Sequence, residues 1–289
     1  MRRRGLPLSG FVLLDKPAGL GSTQAVAAVR RATGAAKAGH GGTLDPAATG
    51  LLVVALGEAT KALPAVADAP KAYDFAVRWG AETDTDDAEG RVTATSEARP
   101  TEAAILAALG AFRGDILQTP PAYSAVKVGG ARAYALARAG EAVALAARPL
   151  HVVELELTGR PDADRATFRM TCGKGGYVRG IARDLGRALG CLGHVEGLRR
   201  LWSGPFALRD AAGWEALGPD LPVLPLERGL HDVPQVRVDA AGAHRLRQGQ
   251  AAMGEGPAEP GEAWASEGGR AVALGPWDGV TIRPRRVIL

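Results

Sequence analysis

The sequence predicts an α+β protein with a mixed, mostly antiparallel sheet, and three observations carry that expectation. Segments of alternating polarity, such as KAYDFAVRWG at 71–80, read as half-buried strands. Segments with apolar residues three and four apart, such as TEAAILAALGAF at 101–112, read as amphipathic helices. The two kinds follow one another without the regular βα alternation of a parallel sheet. At 289 residues the chain can form one large domain, or a medium domain with a small appendage, and bury its core without a metal or disulfide.

Taken in order, residues 11–14 form a short strand, a Pro/Gly turn follows, and a helix starts at a cap on Ser22 or Thr23 and stops at Gly34. A glycine-rich loop holds Asp45. The apolar run in TGLLVVALGEATKAL at 49–63 is too short for periodicity to choose between helix and strand. The strand at 71–80 and the helix at 101–112 come next. QTPPAYSAVKVGGARAYALARAG at 118–140 opens with a Pro-Pro break and continues as a basic, helical stretch carrying Arg132 and Arg138. LHVVELELTG and ATFRMTCGKGGYVRG read as strands, and residues 178–190 as a helix on which Arg179, Arg183 and Arg187 share a face. The Pro-punctuated segment 217–234 reads as a linker to a β-rich domain of roughly 55 residues. No internal repeat is present.

A formal net charge of +4 decides little, but its distribution is informative. Arg2, Arg3, Arg4, Lys16, Arg30, Arg31 and Lys37 face only Asp15 in the first 37 residues; residues 174–200 are again basic, and 81–90 are acidic. Such segregation suits a positive path for nucleic acid as well as two solvated faces. Cys172 and Cys191 are the only cysteines, without zinc spacing, and point to a reducing, cytoplasmic setting. Asp15 and Lys16 interrupt the first apolar stretch before a signal-peptide core is complete. No apolar run approaches the roughly 20 residues of a membrane span, so no membrane partner is expected. Scarce methionine and absent asparagine suit a heat-adapted source or a GC-rich genome.

Several motifs fail on inspection. HGG at 40–42 lacks any G-x-S-x-G elbow, and SAVK at 124–127 lacks the S-D-N and K-T-G partners of its class. The glycines near position 40 form neither phosphate-binding fingerprint. A Cys-His-Asn triad is impossible in a chain without asparagine. What survives is Asp45. Gly39, Gly41 and Gly42 permit close approach and positive φ, and Pro46 stiffens the chain after the acid. By composition alone such an aspartate is either a presented catalytic group or a turn former.

KAGHGGTLDPAATGLLVVALGEATK resembles the signature of the TruB family of pseudouridine synthases. Further blocks follow in the family's order: LLDKPAGLGST, KAYDFAVRWGAETDTDDAEG, QTPPAYSAVKVGGARAYALARAG, CGKGGYVRGIARDLGRALG and HVEGLRRLWSGPF, together spanning 11–206. Two departures stand out. CGKGGYVRG replaces the usual C-S-K-G-T-Y-I-R-T, and Leu201 stands where threonine is usual; Tyr177, Arg179, Leu198 and Arg199 remain. The resemblance implies a pseudouridine synthase catalytic domain at 1–230, with a thumb-like insertion at about 118–150, and a small PUA-like RNA-binding domain at 231–289.

It also implies a reaction: the T-loop uridine of tRNA, position 55, is flipped out, its C1′–N1 bond is cleaved, and the base is rotated and rejoined through C5. No cofactor or metal is expected, since a carboxylate suffices as nucleophile. By resemblance Asp45 is the catalytic acid, with attack at C1′, attack at C6 and a glycal route all open. Arg179 resembles its conserved partner, although the residues alone read as a surface stripe with Arg183 and Arg187, and Arg187 is expected to serve mainly in binding. Tyr73 resembles the tyrosine that stacks on the base and moves a proton, Leu198 a wall of the uracil pocket, and His40 the residue that fills the space left by flipped nucleotides. Lys61, Tyr177, Lys127, Arg132 and Arg138 complete the expected RNA contacts. A bacterial stand-alone monomer needing no protein partner is expected. The alternatives are a guide-dependent enzyme of the dyskerin type and an RNA-folding protein with secondary catalysis.

Overall fold

The computed structural model describes residues 5–141 and 143–289; Arg2, Arg3 and Arg4 of the basic start lie outside the described residues. The chain forms two compact units. The first contains residues 1–46, 50–69 and 203–289, and the second residues 47–49 and 70–202.

In the first unit, strand Gly10–Lys16 pairs antiparallel with strand Thr49–Leu56, which also pairs with Ala38–His40. Leu13 opposes Val53, and His40 opposes Val54. The ambiguous apolar run is therefore a strand, continued by a 3-10 turn at Gly57–Lys61 and a short helix at Leu63–Asp68. It shows no period of two because both faces are covered. Val12, Leu14, Leu52 and Val54 pack with Ala25 and Val29 of helix Ser22–Thr33. Phe11, Leu13, Leu51 and Val53 pack with Val66, Phe206, Leu226, Leu230, Trp264 and Ile288. Each such fully buried side chain is worth roughly 1.5–3 kcal/mol, so this double-sided core needs no covalent staple.

That second cluster corrects the reading of 217–234 as a linker. Leu224 exchanges backbone hydrogen bonds with Phe11 at 2.7 and 2.8 Å, and Leu226 and Leu230 are buried. The prolines set the path of a packed segment; they do not loosen it. Residues 235–289 build a sheet in the order 235–237, 261–267, 270–277, 281–282, 252–253, around a core that includes Val236, Leu246, Val272 and Trp277. Trp264 and Ile288 reach from this region into the Phe11 cluster.

The second unit is a five-strand sheet in the order Gly193–Ser203, Lys71–Trp79, Arg165–Cys172, Arg148–Gly159, Gly114–Gln118. The last four pair antiparallel. Tyr73, Phe75, Val77 and Trp79 point to one face with Phe168 and Met170, where Ile105, Ile181, Ala182 and Leu185 cover them. The opposite face is polar, and Asp74 accepts two hydrogen bonds from Arg169 at 2.7 and 2.8 Å. The strand at 165 ends at Cys172; GKGGYVRG, expected as its continuation, makes a turn and starts helix Val178–Ala188. Within 118–140 only Ala133–Arg138 is helical. A two-strand hairpin precedes it, Lys127–Val128 with Ala131–Arg132, turned by Gly129 and Gly130 at φ 57° and 89°. Two successive left-handed residues are what a tight hairpin turn requires, and glycine meets that at little cost.

Candidate active site

In the first unit, the residues on either side of Asp45 are both tied down. The Ser22 hydroxyl donates to Leu44 O at 2.7 Å and accepts from Leu44 N at 2.8 Å. Ser22 was expected to cap its helix, but Gly21 occupies the cap position and leaves the hydroxyl for the loop. Pro46 O accepts from Gly19 N at 2.8 Å and from Lys16 Nζ at 3.2 Å. Lys16 is fully buried, and its ammonium also donates to Pro17 O and Leu20 O, each at 2.8 Å. A buried ammonium needs all its protons satisfied, and three convergent carbonyls meet that need. Between these anchors Asp45 is half-buried. Lys16 and Ser22 were missed as site-building residues; LLDKPAGLGST contains both, but spacing alone does not show that they reach across to the loop.

The loop glycines have internal reasons. A Cβ at Gly41 would lie 2.5 Å from Val66 Cγ1, and one at Gly39 would lie 2.9 Å from Leu63 Cδ1. Gly42 alone has a positive φ, 137°. Close packing against Val66 of the short helix beneath thus calls for glycine at 41, whereas at 39 the neighbour is the end of a flexible leucine side chain. Lys61, also in this unit, donates to Glu58 and to Val287 O, both at 2.5 Å, while Leu289 N donates to Glu58 at 2.7 Å. It clips the C-terminal strand to the 3-10 turn, a role that its place in the motif did not suggest.

In the second unit, helix Val178–Ala188 carries Arg179, Arg183 and Arg187 at four-residue intervals. The surface-stripe reading is overturned for the first two: Arg179 is 6 % and Arg183 7 % exposed. The acidic segment 82–87 faces them. Arg187 donates to both oxygens of Glu82 at 2.6 and 2.8 Å, Arg183 to Asp86 at 2.9 Å, and Arg179 lies 3.5 Å from Asp87. Arg187, expected to serve mainly in binding, thus has its guanidinium engaged by Glu82, whose hydrogen bonds raise its pKa further. Burial pushes the Asp86 carboxyl up from its ordinary value, with Arg183 and Arg179 pulling against it.

Arg179 also donates to Thr85 O at 2.8 Å and to Tyr123 O at 3.0 Å. Asp87 is fixed in turn by the Thr85 hydroxyl at 2.6 Å and by Glu89 N at 3.1 Å. Asp87 is the main residue of this cluster that sequence reasoning missed. Its signal was the segregated acidic block itself, which three helix-borne cations required as a complement. Tyr177 immediately precedes the helix, and its backbone N and O are held by the Gln118 side-chain amide at 2.9 and 3.0 Å. Tyr73 is buried at 7 % exposure on strand Lys71–Trp79, opposite Met170. Leu198 lines an open depression of about 450 Å³ with Thr49, Asp74, Thr158, Thr167 and Arg199. Neither Tyr73 nor Arg179 lines that depression.

Lys127, Arg132 and Arg138 are exposed on the hairpin and the short helix after it. The two guanidiniums lie 6.0 and 5.7 Å from the ring centre of Tyr134, and neither forms an ion pair among the described residues. Such an aromatic with flanking cations presents both stacking and phosphate-binding groups to solvent. Burial raises the Cys172 and Cys191 thiols to about 11, so neither is a thiolate nucleophile near neutrality.

Comparison with known proteins agrees with the resemblance in the sequence. The family model described as TruB family pseudouridylate synthase (N terminal domain) matches residues 30–178, and that of the tRNA pseudouridylate synthase B C-terminal domain matches residues 179–218. The chain is 55 % identical to tRNA pseudouridine synthase B of Dinoroseobacter shibae, covering 99 % of this chain and 97 % of the relative. It is 55 % identical to the protein of the same name from Paracoccus denitrificans over 99 % and 98 %, and 56 % identical to that of Ruegeria pomeroyi over 99 % and 97 %. Among solved structures, a chain of a Cbf5–Nop10–Gar1 complex superposes with a TM-score of 0.77 at 24 % identity, covering 97 % of this chain and 85 % of the other. The fold is thus the pseudouridine synthase α+β fold expected from the sequence.

Proposed function

The chain belongs to the TruB family of pseudouridylate synthases, and from that premise we propose that it isomerises the T-loop uridine of tRNA, position 55, to pseudouridine. Its relatives named tRNA pseudouridine synthase B are matched over nearly their whole length, which favours the stand-alone enzyme over the guide-dependent type. Asp45 is the catalytic carboxylate, Arg179 the catalytic cation, and Tyr73 the aromatic group that meets the base. The observation that carries this reading is the anchoring of Asp45: Leu44 and Pro46 are both fixed by side chains from elsewhere in the unit. A reactive group held this way meets its target without first paying for loop ordering.

The chemistry balances without a redox partner. The C1′–N1 bond breaks, the base turns, C1′ bonds to C5, the C5 proton leaves to solvent and N1 ends protonated. A uridine buried in folded tRNA must first be extruded, at a cost of a few kcal/mol. Lys127, Arg132, Arg138 and Tyr134 of the thumb-like segment supply phosphate and stacking contacts toward that cost.

The test is release of tritium from a tRNA transcript carrying C5-tritiated uridine. Wild-type protein releases one equivalent, Asp45→Asn releases none while still binding, and a transcript with cytidine at position 55 is inert. Release by Asp45→Asn would refute the assignment of the acid. Full release from the position-55 variant would refute the target. An RNA-folding protein would keep its function in the Asp45→Asn variant, so tRNA folding assays on that variant separate the remaining alternative.

A further inference from the structure

We propose that Arg183, through its buried pair with Asp86, is a positioning residue for the reaction, holding the two backbone segments that orient Arg179. Two of the segments that contact Arg179 are also held by Arg183. On one side lies 85–87: Thr85 O and Asp87 are partners of Arg179, and Asp86, between them, is the partner of Arg183 at 2.9 Å. On the other side lies 119–123: Tyr123 O accepts from Arg179, and Thr119 O accepts from Arg183 at 2.8 Å.

Asp86 adds an independent sign of constraint. It has φ 60°, one of two non-glycine residues with positive φ among those described. Aspartate tolerates that region better than most non-glycine residues, and its surroundings hold it there. Here Arg183 holds the side chain, Asp86 N donates to Thr83 O at 3.2 Å, and Val195 N donates to Asp86 O at 3.1 Å. The left-handed residue turns the chain so that its two neighbours both face Arg179. Gln118 secures the same junction by gripping the backbone of Tyr177, two residues before Arg179. The root of the thumb-like segment and the acidic turn are therefore registered to one helix face by side chains that need not touch substrate.

The proposal rests on Arg179 being the catalytic cation, and the experiment separates the two. Single-turnover rates at saturating tRNA, tRNA affinity and thermal unfolding are measured for Asp86→Asn, Arg183→Lys, Asp45→Asn and Arg179→Ala. Asparagine tolerates left-handed φ as aspartate does, so Asp86→Asn removes charge without changing the turn. A misplacement of Arg179 of the order of 1 Å is expected to slow Asp86→Asn by about 10- to 100-fold with affinity nearly unchanged. Arg183→Lys keeps the charge opposite Asp86 but loses the planar fork that also reaches Thr119 O, and is expected to show a smaller loss of rate in the same direction. Should Asp86→Asn fail to fold, Arg183→Lys decides alone. A wild-type rate in either folded variant, or a slowing fully matched by weaker tRNA binding, overturns the positioning role. If Arg179→Ala or Asp45→Asn retains full turnover, the reading of the active site fails instead.

Discussion

Two stretches of the second unit carry three cations each: Arg179, Arg183 and Arg187 on helix Val178–Ala188, and Lys127, Arg132 and Arg138 on the hairpin and short helix before it. In sequence both look like basic surface. In the structure the first set pairs with Asp87, Asp86 and Glu82, Arg183 also with Asp184, while the second is exposed, Arg132 and Arg138 beside Tyr134. The difference lies in what faces the guanidinium. Opposite a carboxylate an arginine is held in one place; in solvent, beside an aromatic ring, it is available for phosphate.

The strongest test of that contrast is Arg179→Ala, which should cut single-turnover pseudouridine formation by about 10²–10³-fold or more, the loss expected when a preorganised electrostatic group is removed. Next, Arg183→Ala leaves Asp86 buried without its partner and should lower unfolding free energy by about 3–5 kcal/mol in denaturant melts. A loss no greater than that of an exposed pair would show the Asp86–Arg183 bond to be incidental. Arg132→Gln with Arg138→Gln should leave stability and saturated turnover unchanged while weakening tRNA binding, and flatten the log affinity against log salt plot by about 0.7 for each phosphate no longer neutralised. An unchanged slope would remove these residues from the RNA interface. The smallest effect belongs to Arg187→Ala. Its side chain is 55 % exposed, so losing the pair with Glu82 should cost no more than about 1 kcal/mol, read from the same melts, with tRNA affinity unaffected.

Much of the fold was legible. The period-two pattern of Lys71–Trp79 predicted its buried face, and Gly34 marks the helix end at φ 68°. The strand Thr49–Leu56 was not legible as one, because burial on both faces erases alternation. Prolines suggested a linker at 217–234, but Leu224, Leu226 and Leu230 bind that segment into the core. The site was legible unevenly. Asp45 stood out through its glycine and proline neighbours, whereas Lys16 and Ser22 anchor it across distances in sequence that no local pattern encodes.

By itself the amino-acid sequence determined the family and the α+β class, and singled out Asp45 as the candidate carboxylate, because each rests on local residue order or short-period patterning. Tertiary structure alone decided which cations are engaged and which are open, why glycine suits position 41, and that Lys61 clips a strand. Those outcomes depend on burial and on the partner a side chain meets after folding, and a charge has the same letter in sequence whether water or a carboxylate will surround it.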